Sequence, residues 1–232
     1  MRRETVISIN QHEELTALSS YTSKIIKKKF GKGPENCFTQ ISDQFIVIHL
    51  KKYITPIEEA LISEGKIQVA ESIRNTVMKD IYHSLNDMLM STFGKRVEAF
   101  YTDWNYLNNT GVILGEWEEQ TYSNAEPGLE LKVESEFRLY GDQLVQQIKE
   151  VDLDQLSQNM YVVKCKADLM PIEKLLLKKG LVELMKEREK EIRQFYHSQT
   201  KSLTSIFKKE IEQLFLFWNY EKETYYLLLV LN

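Results

Sequence analysis

The sequence predicts an α+β protein made of two tandem domains, each with a four-stranded, mostly antiparallel sheet covered by helices on one face. Three observations carry this. Ile81-Tyr82-His83-Ser84 and Trp104-Asn105-Tyr106 recur as Phe195-Tyr196-His197-Ser198 and Trp218-Asn219-Tyr220, both displaced by 114 residues. Pro56-Ile57-Glu58 and Gly65 recur as Pro171-Ile172-Glu173 and Gly180, displaced by 115. A self-similarity of that period means whole domains rather than a solenoid. Within each copy, short strand-like runs alternate with helical stripes in the order α-β-β-α-α-β-β. The 232 residues then divide into a first repeat at 12–117, a linker at 118–135 and a second repeat at 136–232. Such a pair would pack as a pseudo-dimer, one chain replacing two single-domain subunits.

In the first repeat, Leu15, Leu18, Thr22, Ile25, Ile26 and Phe30 share one helical face, predicting a helix over His12–Lys29. Gly31-Lys32-Gly33-Pro34 ends it, since glycine supplies a left-handed residue and proline cannot continue a helix. Cys37–Ile41 and Phe45–Leu50 read as a hairpin around Ser42-Asp43-Gln44. Thr55-Pro56-Ile57-Glu58 combines an N-cap residue, a first-turn proline and a glutamate at the third position, a strong helix start. After Gly65, Val69, Ile73, Val77, Ile81, Leu85, Met88, Leu89 and Phe93 form the stripe of a long helix. Val97–Trp104 and Gly111–Trp117 make a second hairpin. In the linker, Leu129–Val133 alternates as a strand does. The second repeat runs through a helix at 136–149, strands at 151–156 and 160–166, helices from Pro171 to Lys209, and strands at 211–218 and 224–231.

Composition bounds the function. A hydrophobic fraction of 43%, a charged fraction of 28% and a net charge of −4 describe an ordinary globular protein. No global field argues for nucleic acid or an anionic membrane. No apolar run has the length of a membrane helix and the N-terminus lacks a signal-peptide pattern, so we expect a cytoplasmic protein without membrane insertion. Cys37 and Cys165 stand alone, making neither a disulfide framework nor a metal motif, and both read as buried reduced thiols.

No catalytic constellation stands out. No serine or cysteine nucleophile is framed by a base, so the reading is a non-enzyme with no cofactor and no metal site. Lys24, Lys27, Lys28, Lys29 and Lys32 surround the glycine loop and could meet an anion. Cations at a helix C-terminus also simply complement the dipole, and the local pattern favours that reading. His83 and His197, each after a tyrosine, are the best formal pair for acid–base chemistry, but no HxxxH spacing recruits His12 or His49 to them. The Trp-Asn-Tyr segments fit core tryptophans entering turns better than base-stacking platforms, because their strands carry Glu98, Asp103 and Glu212. Glu58 and Glu173 are explained as caps.

Phe30-Gly31-Lys32-Gly33-Pro34, Thr55-Pro56-Ile57-Glu58, Gly65, Arg74 and Phe93-Gly94-Lys95-Arg96-Val97, in this order over 14–117, resemble the MpsC-like family. This is a small bacterial domain named for a sodium-translocating, membrane-potential-generating system. The second repeat resembles a diverged copy that keeps Gly180, Arg188 and the tyrosine–histidine pair. Lys208-Lys209-Glu210 replaces Gly94-Lys95-Arg96 there, and the glycine loop is lost. The resemblance implies an accessory or regulatory protein of a membrane ion or inorganic-carbon transport system, located in the cytoplasm or at the inner face of the membrane. Its expected partner is that transport complex. A small anion would be held by Lys29, Gly31, Lys32, Gly33, Arg74 and Arg96, with His83 and His197 as an alternative site. A ligand-sensing or nucleic-acid-binding module is the second reading.

Overall fold

The computed structural model describes residues 9–118, 125–144 and 147–232. The chain divides into two compact units, 1–120 and 121–232, each with its own hydrophobic core.

The first unit comprises α1 (Ile9–Phe30), β1 (Asn36–Ile41), β2 (Phe45–Lys51), α2 (Pro56–Ser63), α3 (Ile67–Phe93), β3 (Val97–Asn105) and β4 (Thr110–Trp117). Its sheet is antiparallel in the order β1-β2-β4-β3. The central strands β2 and β4 are buried almost throughout, which their near-continuous apolar sequences allow. Leu18 and Ile26 of α1 and Met78, Ile81, Leu85 and Leu89 of α3 pack on Ile46, Ile48 and Ile113 of the sheet. These helical residues recur at the three- and four-residue spacing that places side chains on one face. Thr22 is buried in α1 at no polar cost, because its Oγ1 donates to the Leu18 carbonyl at 2.8 Å.

The register sorts the loops between the two ends of the sheet. Asn36 pairs with Lys51, Lys51 with Thr110, and Thr110 with Asn105. The glycine loop, the β2–α2 connection and the β3–β4 turn therefore share one end, and Arg96 lies at the other.

The second unit comprises α4 (Pro127–Gln143), β5 (Ile148–Ser157), β6 (Met160–Ala167), α5 (Pro171–Lys178), α6 (Val182–Ser198), α7 (Thr200–Phe207), β7 (Ile211–Asn219) and β8 (Thr224–Leu231). Its antiparallel order β5-β6-β8-β7 matches that of the first. Two details depart from the sequence reading. Leu129–Val133 is the start of α4 and not a strand, so helix occupies residues assigned to the linker. Pro127 stands in the first turn, where its fixed φ favours a helix and its missing N–H costs nothing. The long helix of the first unit is also replaced by two, α6 and α7, meeting at Gln199.

Candidate functional site

The chemistry of the first unit gathers where the glycine loop meets α2 and α3. Gly31, with φ of +77°, closes α1 by donating its N–H to the Lys27 carbonyl at 2.9 Å. Gly33 is held close to the helix: a Cβ there would lie 3.0 Å from the Ser23 carbonyl oxygen and 3.2 Å from Lys27 Cβ. Lys32 folds away from the helix, and its Nζ donates to the Ile54 carbonyl at 2.8 Å. The result is a cleft of about 360 Å³ lined by Ser23, Lys24, Lys27 and residues 31–34. Lys24 and Lys27 are exposed at its edge.

Arg74 lies behind this loop, fully buried. Its Nε donates to Glu58 Oε1 at 2.6 Å, and its Nη2 donates to Glu58 Oε2 at 2.5 Å. The fork matches the carboxylate bidentately, the geometry that gives a guanidinium its strongest partner. Three rings enclose the cation, with Cζ 4.5 Å from the centroid of Phe30, 4.3 Å from Tyr53 and 4.7 Å from Trp104. Gly111 makes room for this stack, since a Cβ there would sit 2.3 Å from the Trp104 ring. Arg74 Nη1 and Tyr53 Oη are buried with no hydrogen-bond partner among the described residues. Burial holds the Tyr53 and Tyr106 phenols far above their usual range, so both remain protonated.

Glu58 serves two purposes at once. Its Oε2 also accepts the Thr55 N–H and the Thr55 hydroxyl, both at 2.8 Å, completing the capping box of α2. The sequence reading identified the cap and missed the ion pair. One signal could have found it: Glu58 and Arg74 recur together as Glu173 and Arg188.

The remaining candidates are dispersed. Lys29 turns from the cleft to α3 and pairs with Asp80 at 2.8 Å, holding that carboxyl below its usual range. Arg96 is exposed at the far end of β3, roughly 25 Å along the strand from Trp104 at about 3.3 Å per residue. The six residues expected to share an anion therefore do not converge. Gly31, Lys32 and Gly33 line the cleft, Arg74 lies behind it, and Lys29 and Arg96 face elsewhere. His83 and His197 are exposed on α3 and α6, and His83 stands about 13 Å along its helix from Arg74. His12 is exposed and His49 buried. Among the described residues, no group of three or more His, Cys, Asp or Glu side chains could hold a metal.

The second unit keeps the ion pair and satisfies it differently. Arg188 donates to Glu173 and to Glu191, each at 3.2 Å, and to the Leu144 carbonyl at 2.6 Å. Tyr220 donates to Glu189. Both Trp-Asn-Tyr segments end strands in asparagine-anchored turns: Asn105 Oδ1 accepts the Asn108 N–H, and Asn219 Oδ1 accepts the Lys222 N–H, at 3.0 Å in each case. Trp104 is accordingly a core residue and not a stacking platform.

Comparison with known proteins assigns the half of the chain that holds the cleft. Residues 10–116 match the profile of the family described as "Na+-translocating membrane potential-generating system (MpsC)". The first unit is an MpsC domain. The motif residues Phe30–Pro34, Thr55–Glu58 and Arg74 of this MpsC domain all meet at one end of its sheet. No curated protein and no solved structure matches the chain. Among the described residues, no helix is long and apolar enough to cross a membrane.

Proposed function

We propose that this chain is a non-enzymatic accessory or regulatory protein of a membrane ion or inorganic-carbon transport system. It acts peripherally at the cytoplasmic face and uses the cleft of its MpsC domain as the contact. One observation carries the reading: three of the motifs that carry the family resemblance, Phe30–Pro34, Thr55–Glu58 and Arg74, meet at a lysine-edged cleft backed by a buried Arg74–Glu58 pair. The buried pair and its aromatic surround fix the loop from behind, because Phe30 both ends α1 and stacks on Arg74. Lys32 fixes it from the side through Ile54. Lys24 and Lys27 are left to meet an acidic side chain of the transporter or a small anion. Preorganised in this way, the loop has little conformational freedom left to lose on binding.

The test is purification of the tagged protein from gently solubilised cells, alongside a Lys24→Glu/Lys27→Glu variant. Both substitutions are exposed on α1 and leave the loop's own bonds intact. Recovery of an ion-transport membrane protein with the wild type, and its loss with the variant, is the expected result. Recovery of no membrane partner by either would sink the accessory reading. The second reading, a free-standing sensor of a small anion, then predicts that phosphate or sulfate binds the purified protein and that the variant abolishes this. The absence of that binding would remove the sensor as well.

A further inference from the structure

Three buried polar atoms around Arg74 have nothing to bond. Arg74 Nη1 and Tyr53 Oη belong to fully buried side chains, Tyr106 Oη is shut off from solvent as well, and none has a hydrogen-bond partner among the described residues. The three groups are neighbours. Arg74 Cζ sits 4.3 Å from the Tyr53 ring centroid, and the Tyr53 and Tyr106 ring centroids are 6.0 Å apart. Burial raises the Tyr106 phenol, and the Arg74 cation is near enough to pull it back. The Glu71 charge also reaches this phenol, yet its oxygen stays unbonded. Folded chains supply their buried polar atoms with partners almost without exception, so three left over at one place call for an acceptor from outside.

The second unit shows which acceptor fits. Arg188, the equivalent of Arg74 114 residues on, has every nitrogen occupied: Nε by Glu173, Nη1 by Glu191 and Nη2 by the Leu144 carbonyl. Tyr220, the equivalent of Tyr106, donates to Glu189. Tyr225, which has against Trp218 the place of Tyr53 against Trp104, shares a hydrogen bond with Tyr196 at 2.6 Å. At the positions of Glu189 and Glu191 the first unit has Asn75, which accepts from Trp104, and Val77. It keeps the donors and lacks the two carboxylates that occupy them in the copy. We infer that a small planar oxyanion, of the carboxylate or bicarbonate kind, binds between Arg74, Tyr53 and Tyr106 and accepts from Nη1 and both hydroxyls. Glu58 already holds the Nε and Nη2 edge of the guanidinium, so the anion takes the remaining nitrogen in a charge-assisted bond. A third anionic group here, after Glu58 and Glu71, matches the three carboxylates that gather on Arg188 and Tyr220. Enclosure of Arg74 selects a free anion over the side chain of a partner protein, and half-buried Tyr106, just beyond β3, marks the way in. The site lies behind the cleft, uses neither Lys24 nor Lys27, and does not depend on the accessory role.

Calorimetric titration of the full chain with formate, acetate and bicarbonate at constant ionic strength tests this. Wild type is expected to bind at least one of them and to gain thermal stability as its concentration rises. Tyr53→Phe and Tyr106→Phe each remove one donor and should weaken binding about tenfold or more, the worth of a hydrogen bond to a charged group. Without ligand both variants should be as stable as wild type, because the deleted hydroxyl had no partner in the chain. Asn75→Glu, which restores a carboxylate of the copy, should abolish binding, and Lys24→Glu/Lys27→Glu should bind as wild type does. Failure of the wild type to bind any of the three anions overturns the inference, and so does binding that both phenylalanine variants leave unchanged. Equal loss in the lysine variant would move the anion to the cleft, and binding of a glutamate-rich peptide but of no free anion would give the place to a partner's carboxylate. Either result overturns the inference.

Discussion

The contrast between Arg74 and Arg188 shows how much one side chain's surroundings decide. Both guanidinium groups pair with the third residue of a short helix, but Arg74 is wholly enclosed while the Arg188 side chain is 22% exposed and has a carbonyl and a second carboxylate to fall back on. Removing one partner of a buried pair leaves an uncompensated charge, which costs about 3–5 kcal/mol. Glu58→Ala should therefore destabilise the first unit by that amount. Glu173→Ala should cost the second roughly half as much, because water and the other partners of Arg188 compensate. Equal losses in urea titrations would contradict this account. Gly111 is the other residue on which the cluster depends. A methyl group there would collide with the Trp104 ring, and overpacking of this kind costs about 1–3 kcal/mol. Gly111→Ala should lower the urea midpoint by a corresponding amount and shift the tryptophan emission. In the second unit the equivalent position is Tyr225, whose ring lies 4.9 Å from Trp218 and takes the place that Tyr53 has against Trp104.

Individual helices test how far local rules reach. The start of α2 was legible because every signal is local: threonine, proline and glutamate lie within four residues, and the cap forms as those residue types dictate. Thr55→Ala should destabilise the first unit by about 1–2 kcal/mol, since it removes the acceptor for the Glu58 N–H and a donor to its carboxylate, whereas Thr55→Ser should be close to neutral. Thermal denaturation of the two variants checks the difference, and equal losses would mean that the threonine methyl matters more than its oxygen. The start of α5 has Met170 in that position, and a thioether is a weak acceptor, so the cap there rests on Glu173 accepting the Met170 N–H at 2.8 Å. The α4 helix was misread for a physical reason. Alternation over Leu129–Val133 is too short to separate period two from a helical stripe, and the longer run of Val133, Phe137 and Tyr140, all buried, settles it.

Across the whole molecule, the duplication was legible because it needs only comparison of distant segments, whereas the Arg74 cluster was not. Its members come from α1, the β2–α2 loop, α2, α3 and β3, and only the strand register brings those pieces to one end of the sheet. The same gap hid the burial of the phenols but not that of the thiols, which the sequence reading expected to be buried and of which Cys165 is buried and Cys37 half-buried. Burial raises the Cys37 thiol to about 11 and the Tyr82 phenol to about 12 in the first unit. In the second unit it drives Cys165, Tyr196 and Tyr225 higher still, with the two phenol oxygens 2.6 Å apart and Cys165 the strand partner of Tyr225. A raised pKa means that the folded state keeps a proton the unfolded chain gives up. The stability from these groups is therefore complete below about pH 8.5, where unfolded thiols begin to ionise, and declines as pH rises. Each proton retained only by the folded state removes about 1.4 kcal/mol per pH unit. The first unit also holds strongly raised phenols in Tyr53 and Tyr106, but the second holds more such groups, Cys165 with Tyr140, Tyr196, Tyr220 and Tyr225, so its loss is the larger. Urea midpoints measured between pH 7.5 and 11, with a Trp218→Phe variant to isolate the signal of Trp104 and Trp117, should fall for both units above pH 9 and further for the second. A midpoint unchanged up to pH 11 would mean that these thiols and phenols ionise in the folded protein as they do in water.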